Sequence, residues 1–171
     1  LTALTTGGNN IAIGKQALDA LTTSAHNLAI GVDALGTGTY DCDYNVAIGN
    51  YTLDAAMNGA ESNVAVGFDA LSALTTGDGN VGIGKAALYY TNVGGNNTAL
   101  GYQAMYTNVD SSSNTAIGAR ALWTHEPASA LEGANTALGM DAGYSVSTGQ
   151  KNTLIGYDAG DTIATGSENT I

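Results

Sequence analysis

The sequence predicts an all-β fold in which the chain winds as a parallel β-solenoid of about ten coils. An asparagine recurs ten times at a spacing of 17 or 18 residues, apart from one step of 21 between Asn114 and Asn135. Nine of these asparagines begin a five-residue block that ends in glycine, such as Asn10-Ile-Ala-Ile-Gly14. A short fixed period of this kind indicates a one-dimensional stack of like units rather than a single globular core.

The recurring asparagines form the first column of the repeat. Their side-chain amides can bond to the asparagines of the coils above and below at the interstrand spacing of about 4.8 Å. The glycine that ends each block is expected to have a positive φ at the corner where the strand turns, because only glycine adopts that region at little cost. The predicted structural ladder comprises Asn10, Asn27, Asn45, Asn63, Asn80, Asn97, Asn114, Asn135, Asn152 and Asn169.

The three residues between asparagine and glycine form a short strand with two different faces. The first and third positions are mostly β-branched, as in Val46 and Ile48, and such residues suit a strand face that points inward. The middle position is alanine in most coils, for example Ala47. Because a strand that is apolar on both faces is covered on both faces, the alanine column predicts a second buried surface against another chain. The sequence therefore predicts an oligomer.

The second half of each coil allows two interpretations. In Ala17-Leu18-Asp19-Ala20-Leu21 the apolar residues stand at i, i+1, i+3 and i+4, a spacing that suits a single helical turn. The threonines and glycines that follow such segments suit a second short strand or an extended edge. A coil of 17 residues leaves little room for both, so we favour the second strand and keep the helical turn as the alternative.

Composition and charge argue against several classes of partner. The net charge is −11, from 15 acidic and 4 basic residues, and the basic residues do not cluster. Binding of nucleic acid through phosphate neutralisation is therefore not expected. No apolar run approaches the length of a membrane span, so membrane insertion is not expected either.

The repeat organises residues 1–171 as a single array. The chain begins within a repeat, because Leu1 to Gly8 align with Leu18 to Ala25, and it stops inside the strand that starts at Asn169. Open ends of a solenoid expose strand edges and core, which terminal units normally cap. We therefore expect this chain to be a fragment of a longer fibre protein.

The shared N-x-A-I-G-x-x-A core resembles the head repeats of trimeric autotransporter adhesins. It resembles even more closely the N-T-A-I-G-Y-x-A-L repeats of phage tail-fibre and tail-spike proteins, and the nearest match is Asn97-Thr-Ala-Leu-Gly-Tyr-Gln-Ala-Met105. The resemblance implies a left-handed, β-roll-like solenoid that assembles as a homotrimer. It also implies an extracellular location, on a virion tail fibre or a bacterial cell surface, with a host cell-surface glycan or protein as the partner.

Enzyme chemistry finds little support in the sequence. His26 and His125 lie far apart in the stack, and neither stands in a zinc-type or triad-type spacing. The position two after the glycine carries aspartate in four coils, but other residues interrupt the column, so a continuous carboxylate ladder is broken. We expect no catalytic residues, no metal and no cofactor. The four aspartates are Asp33, Asp69, Asp141 and Asp158.

Aromatic residues predict the candidate ligand-binding edge. Tyr89, Tyr106, Trp123 and Tyr144 stand five residues after the glycine on four successive coils. The lengthened step follows Trp123, and its loop (123–134) contains His125. Aromatic faces give a large contact area with few rotamers to freeze, so these five residues are predicted to bind a sugar or another partner. The alternative is that the rings stack on each other and cover the edge of the coils.

The sequence thus predicts a structural and receptor-recognition segment of an extracellular trimeric fibre. One alternative is an ice- or crystal-binding solenoid, suggested by the regular column Thr98, Thr115, Thr136, Thr153 and Thr170. That column shares a face with the predicted core positions, which would turn its hydroxyls inward and argues against this alternative. The other alternative is a glycan-processing β-helix enzyme, for which no paired carboxylates stand out in adjacent coils.

Overall fold

The computed structural model describes residues 6–37, 42–125 and 133–171. Within them the fold is an all-β solenoid with one three-residue strand in each of nine coils, which confirms the predicted fold class. The strands form one parallel sheet in chain order. They are β1 (Ile11–Ile13), β2 (Leu28–Ile30), β3 (Val46–Ile48), β4 (Val64–Val66), β5 (Val81–Ile83), β6 (Thr98–Leu100), β7 (Thr115–Ile117), β8 (Thr136–Leu138) and β9 (Thr153–Ile155).

The sheet keeps the register that the repeat predicts. Equivalent residues pair directly, as Ala99 with Ala116 between β6 and β7. An isolated parallel bridge between Thr153 and Thr170 continues the ladder past β9. Each column of the repeat is therefore a physical row of side chains along the stack.

The predicted orientation of the strand faces is wrong. The alanine column points into the coil, where Ala47 and Ala99 are 0 % exposed and belong to the hydrophobic core. The β-branched column points outward, and Ile13 and Ile155 are 59 % and 57 % exposed. The alanines are therefore covered by their own chain and do not form the predicted surface between chains.

The narrowness of the coil explains this orientation. The residue four after the block-ending glycine is a leucine in most coils, such as Leu71, and these leucines are fully buried opposite the strand. A Cβ built at Gly82, which takes the alanine position in β5, would lie 3.3 Å from the Cδ1 and Cγ atoms of Leu71. Because the leucine already fills the interior, the strand can contribute only a small side chain, and its large residues must face outward.

The second half of each coil is neither a second strand nor a helix in the described residues. It is a succession of turns, with local bonds such as Leu74 N–H to Leu71 O at 3.2 Å. Backbone bonds also join successive coils here, for example from Leu35 N–H to the Thr52 carbonyl at 2.9 Å. Turns are sufficient in this half because few residues are needed to close the coil and backbone hydrogen bonds join it to the neighbouring coils.

The corners of the coil depend on positive φ angles. The block-ending glycines have φ between +130° and +142°, which confirms the prediction for this column. A Cβ on Gly101 would lie 2.5 Å from the Gly118 carbonyl oxygen, so the close approach of the backbones also requires glycine. Leucines in the turns, such as Leu18 and Leu122, have φ of 53° and 49°, which sequence analysis did not predict. This conformation costs about 1 kcal/mol or more for each leucine, and core burial must offset it.

Candidate functional site

The asparagine column forms a buried hydrogen-bonded ladder. The Asn80 Oδ1 atom accepts bonds from the backbone N–H and the Nδ2 atom of Asn97, each at 3.1 Å. Nδ2 of Asn97 also donates to the Ser111 carbonyl at 2.8 Å. Asn97 thereby joins its own strand to the coil before it and to the turn of the next coil. The amides are satisfied internally, so the ladder offers a structural role and no free ligand-binding groups.

The four aromatic residues of the candidate edge form a continuous face-to-face stack, here called the aromatic stack. The ring centroids of Tyr89 and Tyr106 lie 5.3 Å apart, those of Tyr106 and Trp123 lie 5.6 Å apart, and those of Trp123 and Tyr144 lie 5.2 Å apart. The interplanar angles are 12°, 5° and 8°. Tyr90 packs edge-on against both Tyr89 and Tyr106. The rings in the middle of the stack thus use both faces on each other and present only edges to a ligand.

The stack ends at Tyr144, because Asp161 takes the aromatic position in the next coil. Beside Tyr144 lies an open cavity of about 330 Å³, here called the stack-end cavity. It is lined by Arg120, Asp141, Tyr144, Ser145, Asp158, Asp161 and Thr162. This cavity was not predicted from the sequence. The feature that could have indicated it is the replacement of the aromatic residue by Asp161 in the coil after Tyr144.

One ion pair organises the stack-end cavity. The Arg120 Nη2 atom donates to Asp141 Oδ2 at 2.6 Å, and this hydrogen bond raises the pKa of the guanidinium. The Arg120 Cζ atom lies 5.5 Å from the centre of the Tyr144 ring. The guanidinium therefore lies over the last ring of the aromatic stack and pairs there with Asp141.

His125 does not lie at the surface with the aromatic rings. It is 0 % exposed, and its Nε2 atom is 3.0 Å from Ser111 Oγ and 3.2 Å from Asn135 Nδ2. The amide nitrogen can only donate, so Nε2 accepts and the ring proton belongs on Nδ1. Burial lowers the pKa of His125 to about 4, against a smaller opposing effect of the Val146 backbone. His125 is therefore placed as a neutral interior residue, and most of the loop beyond it, residues 126–132, lies outside the described residues.

The described ranges contain no group of three or more His, Cys, Asp or Glu residues that could hold a metal ion. They also contain no helix long and apolar enough to cross a membrane.

Comparison with known proteins returned no relative: no family model, no curated protein and no solved structure matches the chain.

Proposed function

We propose that this chain is a structural and receptor-recognition segment of an extracellular trimeric fibre, in a phage tail fibre or a bacterial surface adhesin. The observation that carries the proposal is the outer strand face, defined by the first and third residues of β1 to β9. It contains only isoleucine, leucine, valine and threonine, so no charge interrupts it. Its large apolar side chains are well exposed in the single chain, as Leu100 at 44 % and Ile155 at 57 %.

The size of this face favours a covered state. Nine strands at a spacing of about 4.8 Å, and four residue steps of about 3.3 Å from the first strand residue to the residue after the glycine, give a flat area of roughly 600 Å². The residue after the glycine is exposed and aromatic or apolar in Phe68, Tyr102, Met140 and Tyr157. It is polar in three other coils, which carry Lys15, Asn50 and Lys85. A mostly apolar patch of this extent is at the upper end for monomers, and stable interfaces bury roughly 800 Å² on each partner. A second and a third copy of the same chain are the proposed cover.

A closed trimer suits the geometry of the face. Three flat faces arranged around a threefold axis cover one another along the whole stack, and closed cyclic symmetry prevents open-ended association. The coils then extend along the axis as a rod, which is the mechanical role of a fibre. The proposed work of the segment is extension and recognition, without catalytic turnover.

The experiment is a mass measurement by light scattering after size exclusion. The wild-type chain of 17.1 kDa is expected to elute at three times that mass. Leu100→Glu places a charge in the outer strand face and should give monomers. Val93→Glu is the matched control, because Val93 is 42 % exposed but lies in the turn half of its coil, and it should still form trimers. A monomeric wild type, or a trimer that Leu100→Glu leaves intact, would reject the proposed interface.

A second candidate function gains support from the orientation of the strands. Thr98, Thr115, Thr136 and Thr153 stand in register on the outer strand face, so their side chains point outward and not inward as the sequence predicted. A regular array of methyl and hydroxyl groups on a flat surface suits binding to ice or another crystal. A trimer would bury this array, so the mass measurement separates the two functions. Thermal hysteresis from a monomeric wild type, lost in Thr115→Tyr, would favour the crystal-binding function.

A further inference from the structure

We propose that Asn58 is a site of covalent self-modification, at which the side-chain amide is lost as ammonia and a carboxylate takes its place. In this reaction the backbone nitrogen of the following residue attacks the side-chain carbonyl carbon of the asparagine. Three features assign the reaction to Asn58: the following residue is glycine, the glycine nitrogen is accessible, and no hydrogen bond in the described part of the chain holds the asparagine amide.

Two dipeptides in the sequence are sterically suited to this chemistry, Asn58-Gly59 and Asp78-Gly79. A glycine carries no Cβ, so its backbone nitrogen can approach the preceding side chain without a clash. An aspartate reacts by the same route, with loss of water in place of ammonia. The sequence alone therefore indicates both dipeptides, and the fold distinguishes them.

The Asn58-Gly59 dipeptide is free to react in the folded chain. Both residues are exposed, and a Cβ built at Gly59 would meet no atom within 4 Å. Among the described residues, no acceptor binds the Gly59 N–H and no donor or acceptor binds the Asn58 side chain. The Asn58 backbone N–H donates to the Thr75 carbonyl at 2.8 Å, but that nitrogen takes no part in the reaction. The attacking nitrogen and the amide are thus available to each other.

The Asp78-Gly79 dipeptide is held by hydrogen bonds to the coil before it. The Gly79 N–H donates to the Glu61 carbonyl at 3.0 Å. The Asp78 Oδ1 atom accepts a bond from the Glu61 N–H at 2.8 Å. Attack of the Gly79 nitrogen on the Asp78 side chain would break both bonds, so the fold should protect this dipeptide.

Asparagines in two other environments lack the freedom of Asn58. In the buried ladder, the Asn97 amide is bonded, and the next N–H, that of Thr98, donates to the Asn114 carbonyl at 2.8 Å. Asn96 is exposed like Asn58, but the nitrogen that would attack it belongs to Asn97 and donates to Asn80 Oδ1 at 3.1 Å. Asn96 is therefore a matched internal control for Asn58.

The reaction needs only hydroxide and water. Hydroxide removes the proton of the Gly59 N–H, the nitrogen forms a bond to Asn58 Cγ, and the side-chain nitrogen takes a proton from water and leaves as ammonia. The product is a cyclic imide, the succinimide. Water then adds to either of its carbonyl carbons and opens the ring to an aspartate or an isoaspartate at position 58. The net charge of −11 becomes more negative by one, at an exposed turn outside the outer strand face.

The test is incubation of the folded chain in mildly alkaline water enriched in the heavy oxygen isotope. Chymotryptic peptides analysed by tandem mass spectrometry then assign each change to a residue. The peptide with Asn58 should lose ammonia, take up heavy oxygen and separate into two products on chromatography. The rate should rise with pH, because hydroxide generates the attacking nitrogen. The peptide with Asn96 should remain unchanged, and the peptide with Asp78 should give no isoaspartate.

A variant and an unfolded sample complete the test. Asn58→Gln keeps an amide but would have to close a larger ring, so this variant should release no ammonia from position 58. In guanidinium chloride the bonds to Glu61 are lost, and Asp78 should then form isoaspartate, whereas Asn58 should react in both states. The proposal is overturned if Asn58 keeps its amide in the folded chain, if it reacts only after unfolding, or if Asn96 reacts as fast.

Discussion

Leu154 fills the interior space that Gly143 leaves empty. A Cβ built on Gly143 would lie 2.9 Å from Leu154 Cδ1, and one built on Gly160 would lie 2.8 Å from Leu154 Cδ2. Earlier coils use the opposite arrangement, with an alanine in the strand and a leucine in the turn, as in Ala116 and Leu122. The large and small residues are thus exchanged between the two walls of the coil, and the interior remains filled.

This exchange predicts strong coupling between the two positions. Leu154→Ala should destabilise the protein by about 2–4 kcal/mol, because it opens a cavity that neither glycine can fill. Adding Gly160→Leu should recover part of this loss, since leucine already adopts the same positive-φ corner at Leu122 and the closest atoms to a Cβ at Gly160 belong to Leu154. Gly160→Leu alone should be destabilising because it would overlap Leu154. Urea unfolding of the two single variants and the double variant tests this, and purely additive effects would contradict it.

The fold was only partly predictable from the sequence. The spacing of the asparagines predicts the coils and their register, and the conserved spacing of glycines such as Gly101 predicts the corner. Alternation within Thr98-Ala99-Leu100 shows that the strand has two unlike faces but not which one is inside. Which face lies inside depends on the leucine of the opposite wall. That leucine reaches into the interior because the turn gives it a positive φ, which is uncommon for residues other than glycine. Propensities for single residues do not predict such turns.

The glycine corner gives a prediction with an internal control. Gly101→Ala should be strongly destabilising, because its Cβ would lie 2.5 Å from the backbone oxygen of Gly118. Gly156→Ala carries a similar φ penalty, at +132° against +142°, but its Cβ would meet only Ala159 Cβ at 3.9 Å. The loss of unfolding free energy should therefore be larger for Gly101→Ala. Equal losses in chemical unfolding would assign the whole effect to φ and none to the contact between coils.

His125 predicts a loss of stability in acid. Its pKa is about 4 in the folded chain against 6.5 for the free side chain, so the unfolded chain binds the proton more readily. The stability is fully present above pH 6.5 and falls as the pH drops toward 4, by about 3 kcal/mol in total. His125→Gln keeps an acceptor for Asn135 and removes the titration. The difference in unfolding free energy between wild type and this variant should change between pH 7 and pH 4, and a constant difference would contradict the assignment.

The asparagine ladder predicts a large effect from a single amide. Asn97→Ala removes the acceptor of the Asn114 backbone N–H, at 3.0 Å, and the donor to the Ser111 carbonyl. Both partners are buried, so the variant should lose about 2–4 kcal/mol of stability. Asn58→Ala, at an exposed turn residue, should change stability by less than about 0.5 kcal/mol. Similar thermal midpoints for the two variants would show that water replaces the amide of Asn97.

The candidate site was only partly predictable from the sequence. The register of the aromatic column identified the rings, but the sequence does not reveal that their faces are used on each other. It also does not reveal that His125 turns inward to Ser111 and Asn135 instead of joining the edge. The stack-end cavity lies where two neighbouring columns change residue type. In one column Asp141 follows Arg120, and one coil later Asp161 follows Tyr144 in the other column. Such a site depends on the spatial relation of neighbouring columns, which a reading of one column at a time does not contain.

The aromatic stack predicts that a ring inside it contributes more stability than the ring at its end. Tyr106 lies between Tyr89 and Trp123 and has Tyr90 at its edge, so Tyr106→Ser should cost about 2 kcal/mol of stability through lost ring contacts. Tyr144 stacks on one ring, Trp123, so Tyr144→Ser should cost less, about 1 kcal/mol. Urea unfolding of the two variants measures the difference. Equal losses of unfolding free energy would show that the contribution of each ring does not depend on the number of rings stacked against it.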